Sequence, residues 1–366
     1  MSAHDGVLVF AHVGDLHLTV PDAANARDYR AILDQIGAAE GLDFVFLPGD
    51  NADDGRPDQY ALVRAGLDGL RRPVHVITGD HDMEGGGLDA FYAGLGVPRL
   101  PYAVTVSGTR CLFLDMCGPG SGGPDFRLGA DQVAWLAAEL ETAGSQDCAL
   151  FMHSYPADLK GEGEADRVAE LIHRGPVRLV EMGHTHYNEL ANDGRTVYAA
   201  TRSTGQIEEG PVGYAVAGID GGVVSWRFKE LARPWPFVLI TAPADRRLAF
   251  DAGHIVGARF TLRALVLGPA ERVEFRVDDG PWQPMARSEG ARCHEAAVTW
   301  PDGARTIAVR ARGADAEDTD VIEPARDPDG LPTSRGIGSD ADALGAWEAR
   351  GLLGTQLGPN RNGRQW

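Results

Sequence analysis

Between residues 7 and 200 the chain sets down six short, nearly unbroken apolar runs, and nothing else in it restricts the fold as strongly. They read VLVFAHVG, LDFVFLPG, PVHVITG, RCLFLDMC, CALFMHS and VRLVEMG. Each has the length of a strand, and continuous apolarity implies burial on both faces. Segments of helical period lie between several of them: DAANARDYRAILDQIGAAE, DQYALVRAGLDGL, GADQVAWLAAELETA and EADRVAELIHR. That alternation predicts an α/β architecture with right-handed crossovers. Residues 189–231 read instead as hairpins, with Asp220-Gly221 as a turn. Beyond ARPWPF (232–237), read as a linker, the helical period disappears. Val273, Phe275 and Val277 share one face of a short run, and Ile307, Val309 and Ala311 repeat the pattern. Residues 233–323 therefore predict an all-β sandwich. The reading divides the chain into an α/β part (1–232), the sandwich (233–323) and a tail (324–366) rich in Gly, Asp, Arg and Asn.

The α/β strands end in the same kind of residue. The first run gives Asp15 and His17 two residues apart, hence on one side of an extended backbone. The second gives Asp50, the third Asp80, His81 and Asp82, a later one His153, and the last His184 and His186. Ligand crevices in open α/β sheets lie at the carboxyl ends of strands. Omitting His81 and Asp82, three carboxylates and four imidazoles converge on one edge. That donor set suits two neighbouring divalent ions, with a carboxylate between them and positions left open.

Charge narrows the partners. The formal net charge is −19, which disfavours duplex nucleic acid and anionic lipid because both need a basic footprint. A small anionic substrate remains compatible if the site carries metal ions. Four cysteines without a CxxC pair read as reduced thiols, and the N-terminus lacks the basic region of a secretory signal. No apolar run reaches the roughly 18 residues of a membrane span. The expected setting is cytoplasmic, with no membrane association.

The ordered pattern Asp15-x-His17, Gly49-Asp50, Gly79-Asp80-His81-Asp82, His153 and Gly183-His184-x-His186 resembles the calcineurin-like metallophosphoesterase superfamily. Within it, the chain is most similar to the bacterial cyclic-nucleotide and glycerophosphodiester phosphodiesterases. The resemblance covers roughly residues 5–230. It implies a four-layer α/β/β/α fold, here followed by an immunoglobulin-like sandwich, and two metal ions (Mn, Fe or Zn). One ion would be held by Asp15, His17 and His186, the other by Asp80, His153 and His184, with Asp50 bridging. The implied reaction is hydrolysis of a phosphoric ester by in-line attack of metal-activated hydroxide. The substrate expected first is a small phosphodiester such as a cyclic nucleotide. A phosphomonoesterase and a metal-binding interaction protein without turnover are the alternatives. His81 would stabilise the transition state or protonate the leaving group, and Asp82 would orient His81.

Asp80 departs from the family, whose residue there is Asn. Its extra negative charge predicts tighter metal binding and a bias toward harder ions such as Mn or Fe. Asn51 and Arg202 are the candidate substrate contacts, Arg for its fit to phosphate, with a surface salt bridge as the equal alternative for Arg202. His12 is expected along its strand, outside the metal donors. His4, His75, His173, His254 and His294 match no motif. GPGSGGP (118–124) lacks the Lys-Ser/Thr of a phosphate loop and reads as a flexible loop near the site. Two fates are weighed for the tail: a solvated end, or packing against the catalytic part or a second subunit. The sandwich is left as a dimerisation module, a wall of the substrate site or a stability element, so a homo-oligomer stays open.

Overall fold

The computed structural model describes residues 6–117 and 125–355. The 118–124 segment, His4 and the NRNGRQW end lie outside them. The first eleven strands are β1 Val7–His12, β2 Phe44–Leu47, β3 Val74–Val76, β4 Tyr102–Val106, β5 Thr109–Phe113, β6 Cys148–Phe151, β7 Val177–Met182, β8 Glu189–Asn192, β9 Val197–Ala200, β10 Gly213–Asp220 and β11 Val223–Glu230. All six apolar runs form strands. β4 and the helix that precedes it, absent from the sequence reading, have weaker patterns. The helices are α1 Ala24–Ala38, α2 Pro57–Leu67, α3 Asp89–Leu95, α4 Gly129–Ala143 and α5 Glu164–Arg174.

These strands make two mixed sheets. One runs β11-β10-β1-β2-β3, with β1, β2 and β3 parallel and β10 antiparallel to β1. The other runs β4-β5-β6-β7-β9-β8, parallel from β5 through β7 to β9. Period-two alternation sends the two faces of each strand to different cores. Leu8 and Phe10 of β1 and Phe44 and Phe46 of β2 meet Phe113 and Phe151 of the facing sheet. Phe113 and Phe151 stack at 4.5 Å, and Phe46 meets Phe151 edge-on at 4.7 Å. The intervening residues Val7, Val9 and Ala11 pack outward on Tyr29, Ile32 and Ile36 of α1. On the other side Leu112 and Leu150 pack on Leu136 of α4 and Ile172 of α5. The order is therefore helix, sheet, sheet, helix, and every central strand is covered on both faces.

The remaining strands are β12 Phe237–Ala242, β13 Arg259–Leu267, β14 Arg272–Val277, β15 Gln283–Pro284, β16 Cys293–Thr299, β17 Ile307–Arg312 and β18 Glu317–Ile322. They form a three-stranded sheet, β12-β13-β16, and a four-stranded sheet, β15-β14-β17-β18. Val238, Ile240, Leu262 and Ala264 face Val273, Phe275, Ile307 and Val309 in the sandwich core. The alternate residues Phe237, Leu239, Leu265 and Leu267 join the core beneath α1. Arg292 ties this sheet to Asp43 at 2.6 Å and to the Val7 carbonyl at 3.1 Å. The sandwich thus shares apolar surface with the α/β part instead of hanging from a bare linker.

The tail packs back, as far as it is described. Trp347 and Leu352 enter the inter-sheet core. Arg350 forms a buried ion pair with Asp320 at 2.8 Å. The four cysteines are buried thiols, none of them in a disulfide. Among the described residues no helix is long and apolar enough to cross a membrane.

Candidate metal centre

Five loops at the carboxyl ends of β1, β2, β3, β6 and β7 bring the donors together. Close approach demands glycine beside them. A Cβ on Gly79 would lie 2.2 Å from Asp50 Oδ1, and one on Gly49 would lie 2.5 Å from His153 Nδ1. The backbone is also bent to order. His17, Asp50, His184 and His186 all have positive φ, at 43°, 49°, 63° and 62°. Such conformations are unfavourable for non-glycine residues and persist where the surroundings over-determine them.

Asp80 Oδ1 lies 3.2 Å from both His153 Nε2 and His184 Nδ1. Asp50, Asp80, His153 and His184 form one converging donor group, and Asp15, Asp50 and His186 form another. Asp50 belongs to both. His17 groups with Asp50 and His81, while its Nε2 faces His186 Nε2 at 3.1 Å. Partners outside the cluster aim the rings. His153 Nδ1 donates to the Pro48 carbonyl at 2.7 Å, leaving Nε2 for the cluster. Phe126 stands edge-on to the His184 ring at 5.0 Å and to the His153 ring at 5.7 Å.

Electrostatics in the cluster are those of opposed charges out of water. Burial alone would depress the His153 pKa, but the charge of Asp50, with help from Asp80 and Asp15, drives it well above the usual imidazole value. Burial likewise opposes ionisation of Asp80, yet hydrogen bonds from His153 and His184 hold it well below the carboxylate range. Asp50, pushed up by burial and by Asp80, is pulled to about 2 by His153 and His17. Burial and the neighbouring His17 lower His186 to about 3. Asp15 Oδ2 is buried with no hydrogen-bond partner among the described residues. That lone oxygen, the facing imidazole nitrogens and the shared carboxylate fit divalent cations.

Comparison with known proteins agrees. Residues 8–188 match the calcineurin-like phosphoesterase family. A glycerophosphodiester phosphodiesterase of Enterobacter lignolyticus is 30% identical over 203 residues, 49% of this chain and 71% of that protein. The chain is a calcineurin-like metallophosphoesterase. A probable cyclic nucleotide phosphodiesterase of Synechococcus is 29% identical over 54% of this chain and 80% of its own length. A dimetal phosphatase from Danio rerio shares the fold with a TM-score of 0.51 at 16% identity, covering 62% of this chain and 97% of its own.

In this metallophosphoesterase the donors surround a cleft of about 200 Å³ lined by Asp50, Asp80, His81, His184, His186, Gln206 and Glu208. His81 is half-buried there, its Nδ1 donating to the Asp53 carbonyl at 2.8 Å. Burial would lower its pKa, but Asp50 and the Asp53 carbonyl raise it to about 9.

Three expectations are corrected. Asp82 does not orient His81: its carboxylate turns inward and accepts from Gly79 N at 3.0 Å, Asn51 Nδ2 at 3.0 Å and the Tyr60 hydroxyl at 2.9 Å. Backbone Asp53 and the Glu84 carboxylate, 3.4 Å from Nδ1, stand beside the imidazole instead. Asn51 is buried rather than facing substrate, and its amide also donates to the Ile77 carbonyl at 3.0 Å. Arg202 does not line the cleft and is not a surface pair. It is buried on Phe228 and donates to the Gly351 carbonyl at 2.6 Å, with Glu209 at 3.5 Å.

His12 stays out of the donor set, bonded to Glu181 at 2.6 Å between β1 and β7. Burial pushes His12 down to about 3 and Glu181 well up. Phe126, Gln206 and Glu208 went unread because no motif marks them. Asp53 stood in plain view in GDNADD, three residues after Asp50.

Proposed function

We propose that this metallophosphoesterase hydrolyses a small phosphodiester at a two-ion centre. The observation that carries the reading is Asp50, a carboxylate common to two donor groups at the floor of an open cleft. Asp15, His17 and His186 would complete one ion's shell, and Asp80, His153 and His184 the other's. Two divalent ions held there would polarise the phosphoryl oxygens and activate water. The residues supply the rest. His153, fixed by the Pro48 carbonyl, and His184, braced by Phe126, keep their donor atoms aimed without reorganisation. His81, anchored through Nδ1, lines the cleft, where its protonated form would neutralise charge on the departing alkoxide oxygen. Asp82, Asn51 and Tyr60 hold the loops that carry Asp50 and Asp80.

The diester preference draws support from the relatives named as glycerophosphodiester and cyclic nucleotide phosphodiesterases and from the acidic chain, which suits a small substrate better than a polynucleotide. Asp80 in place of Asn favours Mn or Fe over softer ions. The change from α/β to all-β pattern supports a catalytic domain over 1–232, an immunoglobulin-like sandwich over 233–323 and a C-terminal tail over 324–366. The sandwich surface is the place to seek self-association. The test is hydrolysis of bis-p-nitrophenyl phosphate against p-nitrophenyl phosphate by Mn-reconstituted protein with a chelator control. Chelator-sensitive turnover that favours the diester is expected. Turnover of the monoester alone overturns the diester reading.

A further inference from the structure

Two neighbouring glutamates on the loop over the cleft have opposite fates. Glu209 turns inward, accepting from Asn188 N at 2.9 Å and pairing with Arg202. Glu208 is exposed and lines the cleft. Its Oε2 accepts from the Tyr187 hydroxyl at 3.1 Å, and Tyr187 directly follows His186, so the carboxylate is tied to the donor loop itself. The loop is also held from its other end. Ser203 Oγ donates to the Asp15 carbonyl at 2.8 Å, Gly205 N reaches the same oxygen at 3.0 Å, and the Gln206 amide lies 3.2 Å from His17 Nδ1. Glu208 therefore has a fixed address beside the place where phosphorus would react.

No lysine or arginine among the described residues offsets its charge locally. Among the described residues the cleft lining consists of carboxylates, imidazoles and one amide, with no lysine or arginine. No lysine or arginine among them pairs with Glu208, and Asp53 beside His17 and Glu84 beside His81 extend the negative rim. Arg202, the arginine nearest in sequence, is used up inside the fold. A substrate entering here meets cations at its phosphoryl oxygens and, through protonated His81, at its leaving oxygen. The part of it that projects past them faces a carboxylate.

We propose that Glu208 is a specificity-determining residue: it favours monoanionic phosphodiesters whose alcohol carries an ammonium group and disfavours dianionic phosphomonoesters. The inference rests on the phosphodiesterase reading and deepens it. Both halves follow from Coulomb's law at a partly solvated site, where one unit charge a few ångströms away changes affinity by roughly three- to tenfold and is weakened by salt. An uncharged alcohol gains nothing from the carboxylate, and a second negative charge on the phosphate loses by it.

The experiment uses the full-length, Mn-loaded protein and its Glu208→Gln and Glu208→Lys variants, each with metal content measured. Three substrates share one leaving group: p-nitrophenyl phosphorylcholine, ethyl p-nitrophenyl phosphate and p-nitrophenyl phosphate. The expected wild-type preference for the choline ester over the ethyl ester is about three- to tenfold in kcat/KM, carried mainly by KM and reduced by high salt. Glu208→Gln should flatten that ratio. Glu208→Lys should invert it and raise the relative rate on the monoester. Equal ratios in all three proteins overturn the proposal while leaving the phosphodiesterase reading intact. No turnover of any substrate by metal-loaded wild type overturns both.

Discussion

Replacing Asp82 separates an anchor from a catalytic partner, because the structure assigns each oxygen different work. Oδ2 accepts from Gly79 N at 3.0 Å and Asn51 Nδ2 at 3.0 Å, while Oδ1 accepts from the Tyr60 hydroxyl at 2.9 Å and, more weakly, from Ala52 N at 3.3 Å. Asp82→Ala strands three well-formed donors in a fully buried site. At about 1 kcal/mol or more for each orphaned group, the loss is roughly 3 kcal/mol. For a unit of this size that lowers Tm by roughly 6–12 °C. Asp82→Asn should behave differently. Its amide oxygen can take the Oδ2 partners, and its NH₂ can donate to a rotated Tyr60 hydroxyl, so the cost is about 1 kcal/mol or less. The pair is read by thermal unfolding and by kcat at saturating metal. Asp82→Asn should keep turnover within a fewfold of wild type. A folded, metal-loaded Asp82→Asn protein that loses a hundredfold in kcat would refute the anchor and restore a charge-orienting role toward His81.

The same residue carries a pH signature. Burial, then the charge of Asp50, raises Asp82 to about 6 from the ordinary carboxylate value of 3.8. A raised folded pKa means the native state holds the proton more tightly than the unfolded chain. The stability from this group is therefore present below about pH 4 and lost as pH rises through about 6. Each pH unit of separation corresponds to about 1.4 kcal/mol, so the stability difference between wild type and Asp82→Asn should slope across pH 4–6; a flat difference contradicts the assignment.

Four further substitutions test the centre and its supports. His153→Ala should remove one of two bound ions, seen by elemental analysis, and lower turnover roughly a hundredfold or more, the scale of losing one preorganised electrostatic partner. Asp80→Asn should weaken metal retention against a chelator yet keep activity within about tenfold, since an amide oxygen still ligates; abolished activity would give Asp80 a task beyond ligation. Gly79→Ala places a Cβ 2.2 Å from Asp50 Oδ1, so metal content should fall even where far-ultraviolet dichroism is unchanged. Arg202→Met leaves the Gly351 carbonyl and buried Glu209 without their cation, at a cost of roughly 3 kcal/mol. Limited proteolysis should then cut first within 345–355, and an unchanged cleavage pattern would contradict a role for Arg202 in holding that segment.

The sequence by itself determined the strands and the donors. Short continuous apolar runs bounded by turn residues favour covered strands, and a period of two decides which residues share a face. Acids and imidazoles placed immediately after those runs must lie at one sheet edge. Local chain geometry suffices for such statements, because neighbours a few residues apart are constrained by the backbone alone. The tertiary structure decided what each polar side chain would touch. Asp82 faces Tyr60 of α2 instead of the adjacent His81, Arg202 is claimed by a carbonyl 149 positions later, and Glu209 turns inward while Glu208 turns to the cleft. Buried donors and acceptors must find partners, and those partners arrive from distant elements whose approach no short stretch of sequence specifies.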